Sequence, residues 1–382
     1  MLKDKAAIVG IAETPFARQL EPSETELACD AILAALHDAG LAPSDVDGLV
    51  SYTMESTPEQ ELAKNLGMNN IHWFAQVGHG GGAGPGVIGQ LAMAIASGQC
   101  RVGVAWRSRK RGSGKRLWSD QAASAQLATA ANWARPWGVI RPVDEIALLA
   151  SRYMHEYGIT RDHLANVALA CRRHANNNPA ASMYDRELTR EQYMNSRWVS
   201  RPLCLFDNCL ESDGAVALVM VAADRADDCR NAPVYLHAFA QGIGSRTHSM
   251  VNYFCDDPLA GDSVACAASL YERSDIQAAD IDVAQFYDSF TPLVLSSLES
   301  YRFCERGEGG TFTDNNNLEV GGRLPINTSG GGLSEGYIHG FNLINEGVRQ
   351  MRGTSCNQVS GAQSCLVTGG SSVPTSALIL RN

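Results

Sequence analysis

Two glycine-rich turns limit what this chain can fold into more than any other feature. Residues 78–86 read Gly-His-Gly-Gly-Gly-Ala-Gly-Pro-Gly, and residues 327–340 carry Gly330, Gly331, Gly332, Gly336 and Gly340. Each runs into a helical pattern, at 87–96 and 341–351. Few side chains crowd such a turn, so its backbone N–H groups can face an anionic or carbonyl oxygen at a helix start. The surroundings repeat as well. In the first half, a helix on Leu27, Ala31, Ile32 and Leu36 ends near Gly40, and Asp45-Val46-Asp47 leads into a strand. In the second half, a helical stretch at 264–271 is followed by Asp280-Ile281-Asp282 and a strand at 283–287. This order predicts an internally duplicated β/α unit, with layered sheets covered by helices.

The 382 residues suit two or three domains, or one duplicated fold. The halves divide at 1–230 and 231–382, and the first carries an inserted region at about 107–201. With 45% hydrophobic residues the chain can bury sizeable cores. No apolar run approaches the ~20 residues of a membrane helix, and no secretion signal opens the sequence, so the expected location is the cytoplasm. A net charge of −10 argues against nucleic acid as a partner. The eleven cysteines include no Cys-x-x-Cys, and the closest pair is Cys204 and Cys209. They read as reduced, mostly buried thiols, with no metal site in this chain.

The groups able to move protons gather in the second half. Tyr287 ends a strand and Tyr337 lies in the glycine turn, followed by His339. A phenol, with its pKa near 10, is a good donor and acid, and becomes a base where neighbours lower that value. Asp288 and Glu335 read either as bases or as turn caps, and His79 flanks the first turn. The cluster Arg107, Arg109, Lys110, Arg111, Lys115 and Arg116 reads either as a clamp for coenzyme A phosphates or as a solvated loop. Gly84–Gly89 fits GxGxxG, but a dinucleotide site needs an acid ~20 positions on, and residues 104–110 are basic there.

These residues resemble the thiolases, most of all their sterol-carrier-protein (lipid-transfer-protein) branch. Asn327-Thr328-Ser329-Gly330-Gly331 is similar to a thiolase turn, Ser212-Asp213-Gly214-Ala215 matches the branch, and Tyr287-Asp288-Ser289-Phe290 stands where it has His-Asp-Cys-Phe. The resemblance implies the duplicated five-layer αβαβα thiolase fold. It also marks departures: the two thiolase cysteines are replaced by Gly81 and Val367, and the histidine of the Gly-His-Pro turn by Tyr337. Without a thiolate there is no acyl-enzyme. The pattern resembles the thiolase-fold aldolases of bacterial steroid side-chain degradation, and that implies retro-aldol cleavage of 17-hydroxy-3-oxo-4-pregnene-20-carboxyl-CoA to androstenedione and propionyl-CoA. The implied site has Tyr287 and Tyr337 as acid and base in either order, and Gly81, Gly331, Gly332 and Gly369 as turn donors. Asp288 and His339 support it, and Arg109, Lys110 and Arg111 reach the coenzyme. The implied partners are a second copy of the chain and an OB-fold/zinc-ribbon protein linked to a hydratase, which would carry the zinc. The alternative is a lipid or acyl-CoA carrier that has lost the chemistry.

Overall fold

Strand order shows the duplication directly. The computed structural model describes residues 2–114, 134–244, 250–252, 255, 257, 259 and 261–382. The first half contributes β1 (Ala6–Glu13), β2 (Gly48–Tyr52), β3 (Trp73–Val77), β4 (Val102–Lys110) and, after a short ribbon of β5 (Trp198–Ser200) and β6 (Leu203–Cys204), β7 (Asp213–Ala222). The second contributes β8 (Val234–Gly242), β9 (Val283–Gln285), β10 (Ser364–Thr368) and β11 (Thr375–Arg381). They hydrogen-bond in the order β3-β2-β4-β7-β1-β8-β11-β10-β9. Read outward from the centre, β1-β7-β4-β2 answers β8-β11-β10-β9, with the same sequence of antiparallel, antiparallel and parallel pairings. A parallel bridge from Ile326 to Ala284 stands where β3 would have its counterpart. Even the irregularities match. The register slips at Val9 in β1 and at His237 in β8, the fourth residue of each strand. The halves join through a short antiparallel pairing of Ala7 with Tyr235 and Ile8 with Val234.

Helices make the remaining layers. The first, α1 (Glu24–Ala39), opens on a Ser23/Glu26 capping box and closes at Gly40 with φ 75°. Its apolar face covers β1, β7 and β4 from outside. A short α2 (Glu59–Leu66) follows β2. In the middle layer, α3 (Gly84–Ala96) touches strands of both halves. Gly89 lets it approach β8, since a Cβ there would lie 2.3 Å from the Phe239 ring. The last glycine of GxGxxG thus serves helix packing.

The inserted region supplies α4 (Pro142–Tyr157), α5 (Arg161–Asn176) and α6 (Arg190–Met194). The second half adds α7 (Gly261–Glu272), α8 (Thr291–Ser300), α9 (Gly309–Phe312), α10 (Gly331–Ser334) and α11 (Phe341–Arg352). The last lies beside α3 between the strands of the two halves, and α7 covers β8 and β11 on the far side. The layers therefore run α1, strands of the first half, α3 with α11, strands of the second half, α7: αβαβα.

Two boundaries differ from the sequence expectation. The basic stretch begins inside the sheet, because β4 continues to Lys110 along β7, so the insertion starts after it. And although the insertion leaves from the first half, α4 and α5 share an apolar core with α7 and α8 of the second. Lys115 and Arg116 lie outside the described residues. All eleven cysteines are unbridged, and only five are fully buried.

Candidate active site

The two tyrosines meet. Tyr287 comes in just past the end of β9, with its N–H donated to Thr368 Oγ1 at 3.2 Å. Tyr337 follows α10, its N–H donated to Ser212 Oγ at 3.0 Å. Their hydroxyls share a short hydrogen bond, with ring centroids 5.9 Å apart and nearly edge-on. Both residues are buried, at 5% and 6% exposure. Burial, and then Tyr337 beside it, drives the Tyr287 phenol well above its usual range. Burial also raises Tyr337, followed by Cys209, while Arg111 opposes the rise. The Arg111 guanidinium sits 5.0 Å over the Tyr337 ring centroid. Both groups are therefore neutral phenols at neutral pH.

The glycine turns frame this pair by close approach. A Cβ at Gly81 would lie 2.3 Å from Tyr287 Oη, so the phenol fills the space a side chain at 81 would take. Gly370 N–H donates to Gly81 O at 3.0 Å and pins the turn to the end of β10. At the second turn, Asp288 accepts from Gly332 N at 2.8 Å and Leu333 N at 3.1 Å. A Cβ at Gly331, where φ is 61°, would strike the same carboxylate. Asp288 thus caps α10 and is spent on positioning; burial lifts its carboxyl to about 6. The Gly332 and Gly369 N–H groups are also engaged, with Asp288 and with Ser376 O at 2.7 Å, which corrects their assignment as open donors. Gly81 lies within the short helical turn 80–82, and Gly331 opens α10.

A model of the N-terminal domain of thiolases matches residues 6–197, and one described as thiolase C-terminal domain-like matches residues 244–382. The chain belongs to the thiolase family. Within the family it is 45% identical to a steroid side-chain-cleaving aldolase of Thermomonospora curvata, over all of this chain and 98% of that one. It is 43% identical to the 17-hydroxy-3-oxo-4-pregnene-20-carboxyl-CoA lyase of Mycobacterium tuberculosis, over the whole of both. A solved Ltp2-ChsH2(DUF35) aldolase superposes with a TM-score of 0.95 at 46% identity, covering 100% of this chain and 98% of that one. Human mitochondrial 3-ketoacyl-CoA thiolase in complex with CoA superposes at 0.71 with 15% identity, covering 100% and 98%, a likeness of fold.

The phenol of Tyr287 occupies the space that a side chain at 81 would enter. The remaining expected residues separate. Lys110 Nζ holds the carbonyls of Leu20 and Pro22, at 2.5 and 3.0 Å, ahead of α1. Arg109 is half-buried. Only Arg111 of the three reaches the tyrosines. Glu335 is locked by Ser329 at 2.7 Å and Asn342 at 2.6 Å, and burial lifts it to about 8. His79 takes up φ 76° at the start of the first turn.

His339 joins the tyrosines, 5.3 Å from the Tyr337 ring and stacked 5.2 Å from Tyr52. Sequence reading missed Tyr52 and Glu55, and placed Arg107 in the basic cluster without its partners. Arg107 is fully buried in β4, paired with Glu55 at 3.1 Å and bound to His339 Nδ1 at 3.2 Å. The available signal was a lone arginine directly continuing the buried run 102–106.

Proposed function

We propose that this chain is a carbon–carbon lyase that cleaves a steroid β-hydroxyacyl-CoA by a retro-aldol reaction, with 17-hydroxy-3-oxo-4-pregnene-20-carboxyl-CoA as substrate. The full-length similarity to two proteins named for this activity supports the reaction class. The observation that carries the mechanism is the hydroxyl–hydroxyl contact of Tyr287 and Tyr337 in the space vacated at Gly81.

Two buried neutral phenols in contact suit a proton relay better than a stored phenolate. One tyrosine accepts the proton of the substrate C17 hydroxyl as it passes its own proton to the second. The C17–C20 bond breaks; its electron pair becomes the enolate of the propionyl thioester, and C17 becomes a ketone. The second tyrosine protonates the enolate carbon. Each phenol gains and loses one proton, no bond to the enzyme forms, and the products are androstenedione and propionyl-CoA. In this reading a turn N–H such as that of Gly81 holds the enolate oxygen. The reaction as written consumes no cofactor.

The active assembly is proposed to include a second copy of this chain and a DUF35-type partner that carries any zinc. The open edge of β3, where Phe74 is 69% exposed, is a surface suited to a second copy. The partner is inferred from the similar Ltp2-ChsH2(DUF35) aldolase. The test is to supply the steroid thioester to the chain, alone and co-expressed with such a partner, and to quantify both products by mass spectrometry. Equal amounts of propionyl-CoA and 17-ketone are expected. Tight binding without cleavage would instead make the protein a carrier.

A further inference from the structure

The structure leaves one group beside the tyrosines with no assigned task, and its surroundings define what it can do. His339 sits 6% exposed between the rings of Tyr52 and Tyr337. Arg107 reaches its Nδ1 with both Nε and Nη2, each at 3.2 Å. A guanidinium has only donors, so Nδ1 must accept and carries no proton. The imidazole's single proton is then on Nε2. Arg107 is itself fixed: it pairs with the fully buried Glu55, donates to Met54 O at 2.9 Å, and lies 4.7 Å over the Tyr52 ring centroid. Glu55 is held in turn by Ser108, whose N–H donates to it at 2.7 Å.

The charged groups facing His339 are Arg107, Arg109 and Arg111; burial first, and then these cations, hold its basicity well below the usual range. Among the described residues no group accepts from Nε2–H, and Nε2 is not among the fully enclosed unpartnered atoms, so it meets open space. A donor that cannot change its charge, next to the tyrosine pair, suits an oxygen that becomes negative during the reaction.

We propose that Arg107 is a positioning residue that locks His339 as a neutral Nε2–H imidazole, and that this N–H is a hydrogen-bond donor to the enolate oxygen of the thioester. His339 is then a fixed donor and takes no part in carrying protons. The second clause rests on the retro-aldol reading; the first does not.

The test has two arms on the full-length chain. In the first, histidine is labelled with nitrogen-15, and His339 is assigned as the signal lost in His339→Gln. From about pH 5 to 8, the range in which a free imidazole titrates, His339 is expected to stay protonated at Nε2 only. In Arg107→Gln it should begin to titrate. Removing Arg107 leaves Glu55 an unpaired buried charge, so Arg107→Gln/Glu55→Gln is measured alongside. Titration in the unsubstituted chain, or a proton on Nδ1, overturns the lock.

In the second arm, His339→Phe is expected to lower kcat about 10²-fold with little change in KM, the effect of losing one oxyanion donor. His339→Gln, which returns an N–H at the ε position, should recover most of it. Equal rates for the two variants overturn the donor role. If the unsubstituted enzyme does not cleave the thioester at all, the enolate role falls with the aldolase reading, and the nitrogen signals still decide the lock.

Discussion

The two glycine turns occupy related places in a duplicated fold and do opposite things. The first is a turn of removal. Gly81 gives up its side chain so that Tyr287 can enter, and the neighbouring Gly82 lies against Pro374, where a Cβ would come within 1.9 Å of a backbone oxygen. The second is a turn of supply. It is capped by Asp288, it delivers Tyr337 and His339, and its backbone donors are partly consumed in doing so. One turn thus leaves space and the other half fills it, within a single duplicated fold.

The sharpest way to break this contrast is to remove one hydroxyl at a time. If the proton passes through both phenols, Tyr287→Phe and Tyr337→Phe should each slow propionyl-CoA release by about 10²–10⁴-fold. Substantial activity in either would end the relay. Gly81→Ala comes next. Its Cβ would press on Tyr287 Oη, and a displacement of about 1 Å is expected to cost on the order of 10²-fold in turnover with the melting temperature nearly unchanged. Gly82→Ala should do the reverse, losing about 1–3 kcal/mol in urea unfolding through backbone overlap.

Asp288 sharpens the comparison through pH. Its carboxyl titrates at about 6 in the folded chain against a reference of 3.8, so the folded state holds a proton that the unfolded chain releases earlier. Stability should therefore fall as pH rises from about 4 to 6, by about 3 kcal/mol from this group. Asp288→Asn should make the fall of urea midpoints in that window shallower, leaving the decline due to Glu335, which begins near its reference of 4.5 and runs on to about 8. The smallest expected effect on turnover is at Lys110. Lys110→Met should cost about 1.5–3 kcal/mol by freeing the carbonyls before α1, with KM for the thioester unchanged; a raised KM would return it to the coenzyme site.

Much of this was legible in the sequence where local chemistry decides structure. The strands expected after Asp45-Val46-Asp47 and Asp280-Ile281-Asp282 form at Gly48–Tyr52 and Val283–Gln285. The Ser23 cap and the Gly40 stop fix α1 in the same way. By contrast, all ten residues of α8 are buried, so it shows no polar face from which to read a period. The end of β4 was misread because Arg107 looked like a loop residue; its charge is neutralised by Glu55, 52 residues away in the chain. Within the site, the tyrosines could be named through family resemblance. The Arg107–His339 contact spans 232 residues and left no local mark.

The overlap between position 81 and the Tyr287 hydroxyl also sets a rule of exclusion. A cysteine placed at 81 would collide with the phenol, so a thiol at 81 and a tyrosine at 287 are alternatives in this packing. A chain that exchanged one for the other without overlap, one residue at a time, would have to pass through a form holding neither.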